Sequence, residues 1–151
     1  MKKKFFIFLL ILLLPHCGFS PLYNQSNKLD YAINITEING DKLINNKILS
    51  EIKRISNSQS KNKFNVKVDT LYEKIIISKK ANGTVSDYQL NVKTKFDINH
   101  NNEIQTYSFG ESLIINNNSD FFEQKNYENT IKKTFATSLV RKLNLKLLSI
   151  K

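Results

Sequence analysis

The stretch Tyr88–Ile98, YQLNVKTKFDI, alternates without a break. Tyr88, Leu90, Val92, Thr94, Phe96 and Ile98 fall in one phase, and Gln89, Asn91, Lys93, Lys95 and Asp97 in the other. Successive side chains of a strand point to opposite faces, so a period of two describes a strand with one dry and one wet side. A chain that contains this segment must build a sheet, cover one face with apolar material and leave the other to a polar environment.

The cover is visible in two other patterns. Ile44, Ile48, Ile52 and Ile55 recur at helical spacing behind Asp41, a natural N-cap, with Leu49 beside them. Lys42, Lys47, Glu51 and Lys53 take the outward positions of that helix. Near the end of the chain, Tyr127, Ile131, Phe135, Leu139 and Leu143 form a longer stripe, joined by Ala136, Val140 and Leu147. Asp120 with Glu123 three residues on reads as a capping box at its start, and Lys142 and Lys146 suit the helix dipole at its end.

Further strands surround the first. Tyr31, Ile33 and Ile35 alternate, and so do Phe64, Val66 and Val68. The apolar run Ile75–Ile77 follows out of phase, which predicts a bulge or bend near Leu71. Asn82-Gly83 marks a hairpin, and NHNNE at 99–103 turns the chain into a last strand at Ile104–Ile115. The order is β-α-β-β-β-α. It predicts an α+β fold, a two-layer sandwich with two helices packed on one face of a four-stranded, mainly antiparallel sheet. At 151 residues one core suffices.

The amino-terminal segment is of another kind. Lys2, Lys3 and Lys4 precede the apolar run Phe5–Leu14. As a helix that run would be about 15 Å long, roughly half the hydrocarbon thickness of a bilayer. It is too short to span and has the build of a secretory signal, ended by Pro15. Cys17, the single cysteine, comes directly after. LPHC, Leu14–Cys17, resembles the lipobox of bacterial lipoproteins, although His16 stands where that motif has a small residue. The resemblance implies a signal peptide over 1–16, a diacylglyceryl group on the Cys17 sulfur and an acylated tether over 17–28. It leaves a single domain over 29–151. Each buried methylene contributes about 0.8 kcal/mol, so several chains on one residue anchor durably. Gly18 after the cysteine, rather than Asp, favours the outer membrane.

Composition limits the chemistry. The chain carries 23 basic and 13 acidic residues, and all but Arg54 and Arg141 of the basic ones are Lys. Heavy use of Lys, Asn and Ile is also what a biased nucleotide composition produces, so the charge by itself names no partner. Beyond His16, His100 is the only histidine, on an expected turn, and no carboxylate cluster accompanies it. No G-x-S-x-G segment and no glycine-rich phosphate loop occur. These features point away from an enzyme, a metal site and a cofactor. Tyr88, Phe96 and Tyr107 would suit base stacking, but they share a face with Leu90, Val92 and Ile98 and so belong to the core, which speaks against nucleic acid.

CGFSPLY at Cys17–Tyr23, DYQLNVKTKFDI at Asp87–Ile98 and the segment Tyr107–Leu143 together resemble the LPS-assembly lipoprotein (LptE) family, particularly its alphaproteobacterial branch. Between Asn39 and Lys80 only the element order matches. The resemblance implies an outer-membrane lipoprotein, lipid-anchored and facing the periplasm, within the lumen of an LptD-type β-barrel that it plugs and helps to fold. It also implies lipopolysaccharide as ligand. No motif fixes the contacts; Lys79 and Lys80 at the hairpin turn and Lys93 and Lys95 on the long strand are the candidates for the lipid phosphates. The alternative is a non-enzymatic lipoprotein that scaffolds another assembly, such as a secretion or pilus apparatus. A soluble periplasmic binding module is a third reading.

Overall fold

The alternating segment becomes strand β3 (Val85–His100), paired on both sides from Asp87 to Asn99. A computed structural model describes residues 29–150 and gives the order β1 (Ala32–Gly40), α1 (Lys42–Ile55), β2 (Lys63–Lys79), β3, β4 (Glu103–Asn116) and α2 (Phe121–Ser149). The expected signal peptide over 1–16, Cys17 and the expected tether over 17–28 lie outside the described residues. The sheet runs β1-β2-β3-β4, with β1 parallel to β2 and the other two pairings antiparallel. A two-layer α+β sandwich with a mostly antiparallel sheet is therefore what this sequence forms. Parallel neighbours cannot be joined by a tight turn, and α1 supplies the crossover between β1 and β2.

Both layers meet through one phase of each element. Leu90, Val92, Phe96 and Ile98 of β3 are buried with Phe64, Val66 and Val68 of β2 beneath Ile44, Ile48 and Ile52 of α1. Leu139, Leu143 and Leu147 of α2 complete the core. Burying a large apolar side chain contributes about 1.5–3 kcal/mol. Thr70 and Thr94, the polar members of the inner phase, face each other at 3.2 Å and satisfy one another.

Five expectations are corrected. β2 and β3 stay in register from Asn65–Asn99 to Ile76–Tyr88, so no bulge interrupts Leu71; the irregularity falls at Ile77. Leu71, Ile75 and Ile77 are simply exposed apolar residues of the outer phase, which the sequence pattern cannot tell from core. Glu51 is buried rather than outward. Lys47 at 2.7 Å and Arg54 at 2.8 Å bracket its carboxylate and hold it below the usual range. Tyr127 is 54% exposed, so the buried apolar stripe of α2 begins at Ile131. Asp120 caps α2 through the amides of Phe122 and Glu123, but its own N–H donates to Asn118 instead of to Glu123, so only half of the box forms.

His100 ends β3 instead of sitting on the turn, which is made by Asn101 and Asn102 with positive φ. Its ring packs on Phe64 with centroids 4.3 Å apart, and Nδ1 lies 3.1 Å from the Lys63 carbonyl. This is a half-buried packing residue. Tyr31, fully buried, donates to Asn144 Oδ1 at 2.5 Å and ties β1 to the end of α2; burial pushes its phenol up to about 12.

A polar network fastens the helices to β2. Asp41 accepts from the amides of Leu43 and Ile44 at 3.0 Å and from Lys132 Nζ of α2 at 2.8 Å. Lys132 also lies 3.8 Å from the centre of the Tyr72 ring. Tyr72 donates to Glu128 at 2.7 Å, and Lys74 reaches the same carboxylate at 2.9 Å. Burial opposes ionisation of Asp41 and Glu128, yet the donors around them outweigh it and both sit below their ordinary range.

A carboxyl whose folded pKa is depressed contributes stability above its unfolded value, and that contribution is lost as pH falls through the folded one. Replacing Lys132→Met removes the donor of Asp41 and a cation beside Glu128. The variant should lose more stability at pH 7 than at pH 2, and its acid-unfolding midpoint, followed by circular dichroism, should move to higher pH. Gly40 supports a second expectation. It has φ +103°, and a Cβ there would stand 1.7 Å from the Thr70 carbonyl oxygen of the neighbouring strand. Gly40→Ala must push β1 off β2 and should cost about 2 kcal/mol or more in urea unfolding.

Candidate functional site

Sheet and cover differ in length, and this decides where the molecule is open. At about 3.3 Å per residue β2 reaches roughly 56 Å, whereas α1, at 1.5 Å per residue, reaches only about 21 Å. Along the inner phase of β2, Phe64 to Thr70 is buried, Tyr72 is half-buried, and Lys74 and Ile76 are exposed. Past Tyr72 only the first turns of α2 lie over the sheet. The β2–β3 hairpin, the end of β4 and the start of α2 thus form an open end.

Two clefts flank α2 there. One, of about 460 Å³, is lined by Lys74, Tyr88, Phe121, Lys125 and Glu128 among others. Lys74 lies 4.2 Å from the centre of the Tyr88 ring, holding an amine over an aromatic wall. The other, of about 640 Å³, brings Tyr127 beside Ile114 and Ile115 of β4. Gln124 belongs to both; it is 7% exposed, its Oε1 accepts from the Asn118 amide at 2.7 Å, and its Nε2 has no partner. Phe121 and Phe122, 78% and 72% exposed, stand at the rim.

The four candidate lysines divide into two places. Lys79 ends β2 opposite Val85, and Lys80 opens the turn, where its amide donates to Thr84 and its carbonyl accepts from Gly83. Gly83 takes φ +82°, as the Asn-Gly signal requires. Lys93 and Lys95 lie mid-sheet on the outer face, opposite Leu71 and Asp69, and Lys95 bridges Asp97 at 3.0 Å. Eight strand residues, about 26 Å, separate the two pairs. They cannot clamp one phosphate together.

Sequence reasoning missed Lys74, Lys125, Phe121 and Gln124, and it assigned Tyr88 to the core although that residue is half-buried at the open end. Phe121 and Phe122 were the available signal: two aromatics directly behind a cap, out of phase with the stripe that follows. The open end is not strongly basic. Residues 73–88 and 113–128 together hold four lysines and five carboxylates, so an anion there would meet individual amines instead of a net positive field.

The outer sheet face is uncovered; Leu71, Ile75 and Ile104 are exposed on it, and its polar side chains pair laterally. Asn34 donates to Asn65 at 3.0 Å, Gln89 to Asn91 at 3.0 Å, and Ser112 to Asn91 at 2.7 Å. Among the described residues no group of three His, Cys, Asp or Glu side chains could hold a metal ion.

No protein-family model matches the chain, and no curated protein matches it in sequence. Solved structures are similar to it. Rare lipoprotein B from Shewanella oneidensis superposes with a TM-score of 0.63 at 10% identity, over 79% of this chain and 95% of that one. A minor lipoprotein from Acinetobacter baumannii gives 0.56 at 7% identity, over 77% and 89%. Lipoprotein B from Nitrosomonas europaea gives 0.54 at 18% identity, over 81% and 85%. The chain has the fold of these bacterial lipoproteins.

Proposed function

We propose that this protein is an outer-membrane lipoprotein subunit of a lipopolysaccharide-assembly translocon. Cys17 carries the acyl anchor, and the sandwich supports and plugs an LptD-type β-barrel while contacting lipopolysaccharide on its way outward. The observation that carries this reading is the uncovered sheet face. Helices occupy one side only, and the other presents Asn, Ser, Thr, Gln and Lys, many of them hydrogen-bonded within the sheet, with Leu71, Ile75 and Ile104 exposed among them. Such a face suits the polar inner wall of a barrel, where water and neutral side chains abound. The fold shared with bacterial lipoproteins and the cysteine placed directly after a short apolar segment support the same reading.

At the open end the chemistry of an amphiphile is met twice. Lys79 and Lys80 offer point charges to phosphate, and the walls made by Tyr88, Phe121, Tyr127 and Ile114 offer apolar area to acyl chains. Lys93 and Lys95, on the face turned to the barrel, would meet a ligand only where it passes between sheet and wall. The protein does no bond-making chemistry in this reading and needs no cofactor.

Detergent extraction followed by purification should bring down an outer-membrane barrel protein with the chain, and Cys17→Ser should release the chain from the membrane fraction. Recovery without a barrel protein would favour a scaffold of another assembly, such as a secretion or pilus apparatus. Charge reversal Lys79→Glu with Lys80→Glu should weaken lipopolysaccharide binding about tenfold at low salt, with a smaller loss at high salt. Lys93→Glu with Lys95→Glu tests the outer face separately; unchanged binding would remove that pair from the lipid path.

A further inference from the structure

We infer that the opposite end of the sandwich, where residue 29 enters, docks on an anionic phospholipid surface. The described chain begins there. Leu29 donates to the carbonyl of Ile55, the last residue of α1, and Asn57 to the carbonyl of Tyr31. Tyr31 in turn reaches Asn144 near the end of α2. His100 meets Lys63. The last turns of both helices, the starts of β1 and β2 and the β3–β4 turn therefore share one end.

That end holds the positive charge that the hairpin end lacks. Among the described residues, the two helices with their caps carry ten basic and five acidic residues, while the strands and their connections carry eight of each. The whole excess lies in the helical layer, and much of it gathers in the last turns. Residues 29–31, 50–64, 98–104 and 141–150 bring seven basic residues against Asp30, Glu51 and Glu103. Glu51 is taken by Lys47 and Arg54, and Lys142 by Glu111. Lys53, Lys61, Lys63, Arg141 and Lys146 are exposed. Leu145, 62% exposed, and Leu148 stand among them, apolar area of the kind that settles into a headgroup layer.

The occupant is a phospholipid surface because of where the chain leads. A tether over 17–28 reaches at most about 40 Å, so an acylated Cys17 would hold this end near the leaflet. Basic side chains close to an anionic surface are drawn to it within about a Debye length. With several acyl chains retention is already assured, and docking sets which way up the sandwich stands: hairpin end away from the leaflet, sheet axis upright. The choice of occupant rests on the anchor proposed above, and the choice of surface on the charge placement.

Amine-reactive labelling of the full chain, reconstituted in vesicles, tests it. The vesicles are phosphatidylcholine alone, or with about a third of phosphatidylglycerol. In anionic vesicles Lys53, Lys61, Lys63 and Lys146 should label about threefold less than in neutral ones, recovering at about 0.5 M salt, while Lys79 and Lys80 stay unchanged. Equal labelling at both ends, or protection at Lys79 and Lys80 instead, overturns the inference. The triple reversal Lys53→Glu, Lys61→Glu, Lys63→Glu, all at exposed positions, should abolish protection of Lys146, and protection that persists overturns it as well. The mass of the amino-terminal peptide reports acylation independently, so a failed anchor and a failed docking surface give different results.

Discussion

A sheet covered on one face only must reconcile two environments along every strand, and the inner phase of β3 is where this succeeds. Leu90, Val92, Thr94, Phe96 and Ile98 are all buried, and each has a neighbour in β2 and in β4. Slipping the register by one residue would turn Lys93, Lys95 and Asp97 into the core, at a cost far beyond the stability of a domain of this size. That single strand therefore fixes the register of β2 and β4 and leaves the helices one side to occupy. The parallel partner β1 adds a further demand, a crossover over the same side, which puts α1 above β1 and β2 and leaves α2 to lie over the rest.

The helices do not share the length of the sheet, and the polar network follows from that mismatch. Where α1 begins, its cap Asp41 faces Lys132 of α2, and beyond it Tyr72, Lys74 and Glu128 continue the contact toward the hairpin. An apolar joint at this boundary would be half-exposed to water and gain little, whereas charge-assisted hydrogen bonds keep their geometry there. The network marks the border between a dry core and an open end. Gln124, one turn before Glu128, is buried just past that border with an amide nitrogen left over. At β4, the outermost strand of the sheet, Lys142 donates to the Gly110 carbonyl at 3.0 Å and bridges Glu111 at 2.9 Å, placing a charge where an unpaired strand would otherwise invite another.

Element order, both N-caps, the Asn-Gly hairpin and nearly every core residue could be read from the sequence, because each depends on a local period or a local hydrogen bond. What could not be read depends on distance in space. Leu71, Ile75 and Ile77 look like core and are exposed, since apolar type alone does not say which face the helices leave uncovered. Tyr127 keeps the helical phase but lies beyond the reach of the sheet. Glu51 is polar by type and buried by its neighbours Lys47 and Arg54. Candidate residues fared likewise: Lys79 and Lys80 at the turn and Lys93 and Lys95 on the strand are candidates for one ligand, and strand rise alone sets the pairs about 26 Å apart. Cys17 is a candidate because of its place behind an apolar segment, a signal that needs no fold, and it lies outside the described residues.

Partition of charge between the layers gives composition a meaning it lacks in one dimension. A biased lysine content would spread over the whole surface, yet the sheet and its connections are neutral and the helices carry the surplus. The strands reach neutrality through pairs such as Lys67 with Glu37 and Lys95 with Asp97, set across or along a sheet whose spacing makes them neighbours. Helical cations such as Lys53, Lys133 and Arg141 project from cylinders with few acidic residues of their own to meet. A neutral, laterally satisfied face tolerates close approach by another polar surface, because little charge must be desolvated to bring the two together. Exposed cations stay hydrated until an anionic surface releases that water. The same fold thus separates a face suited to a protein wall from an end suited to charge, and the inner phase of β3 places both.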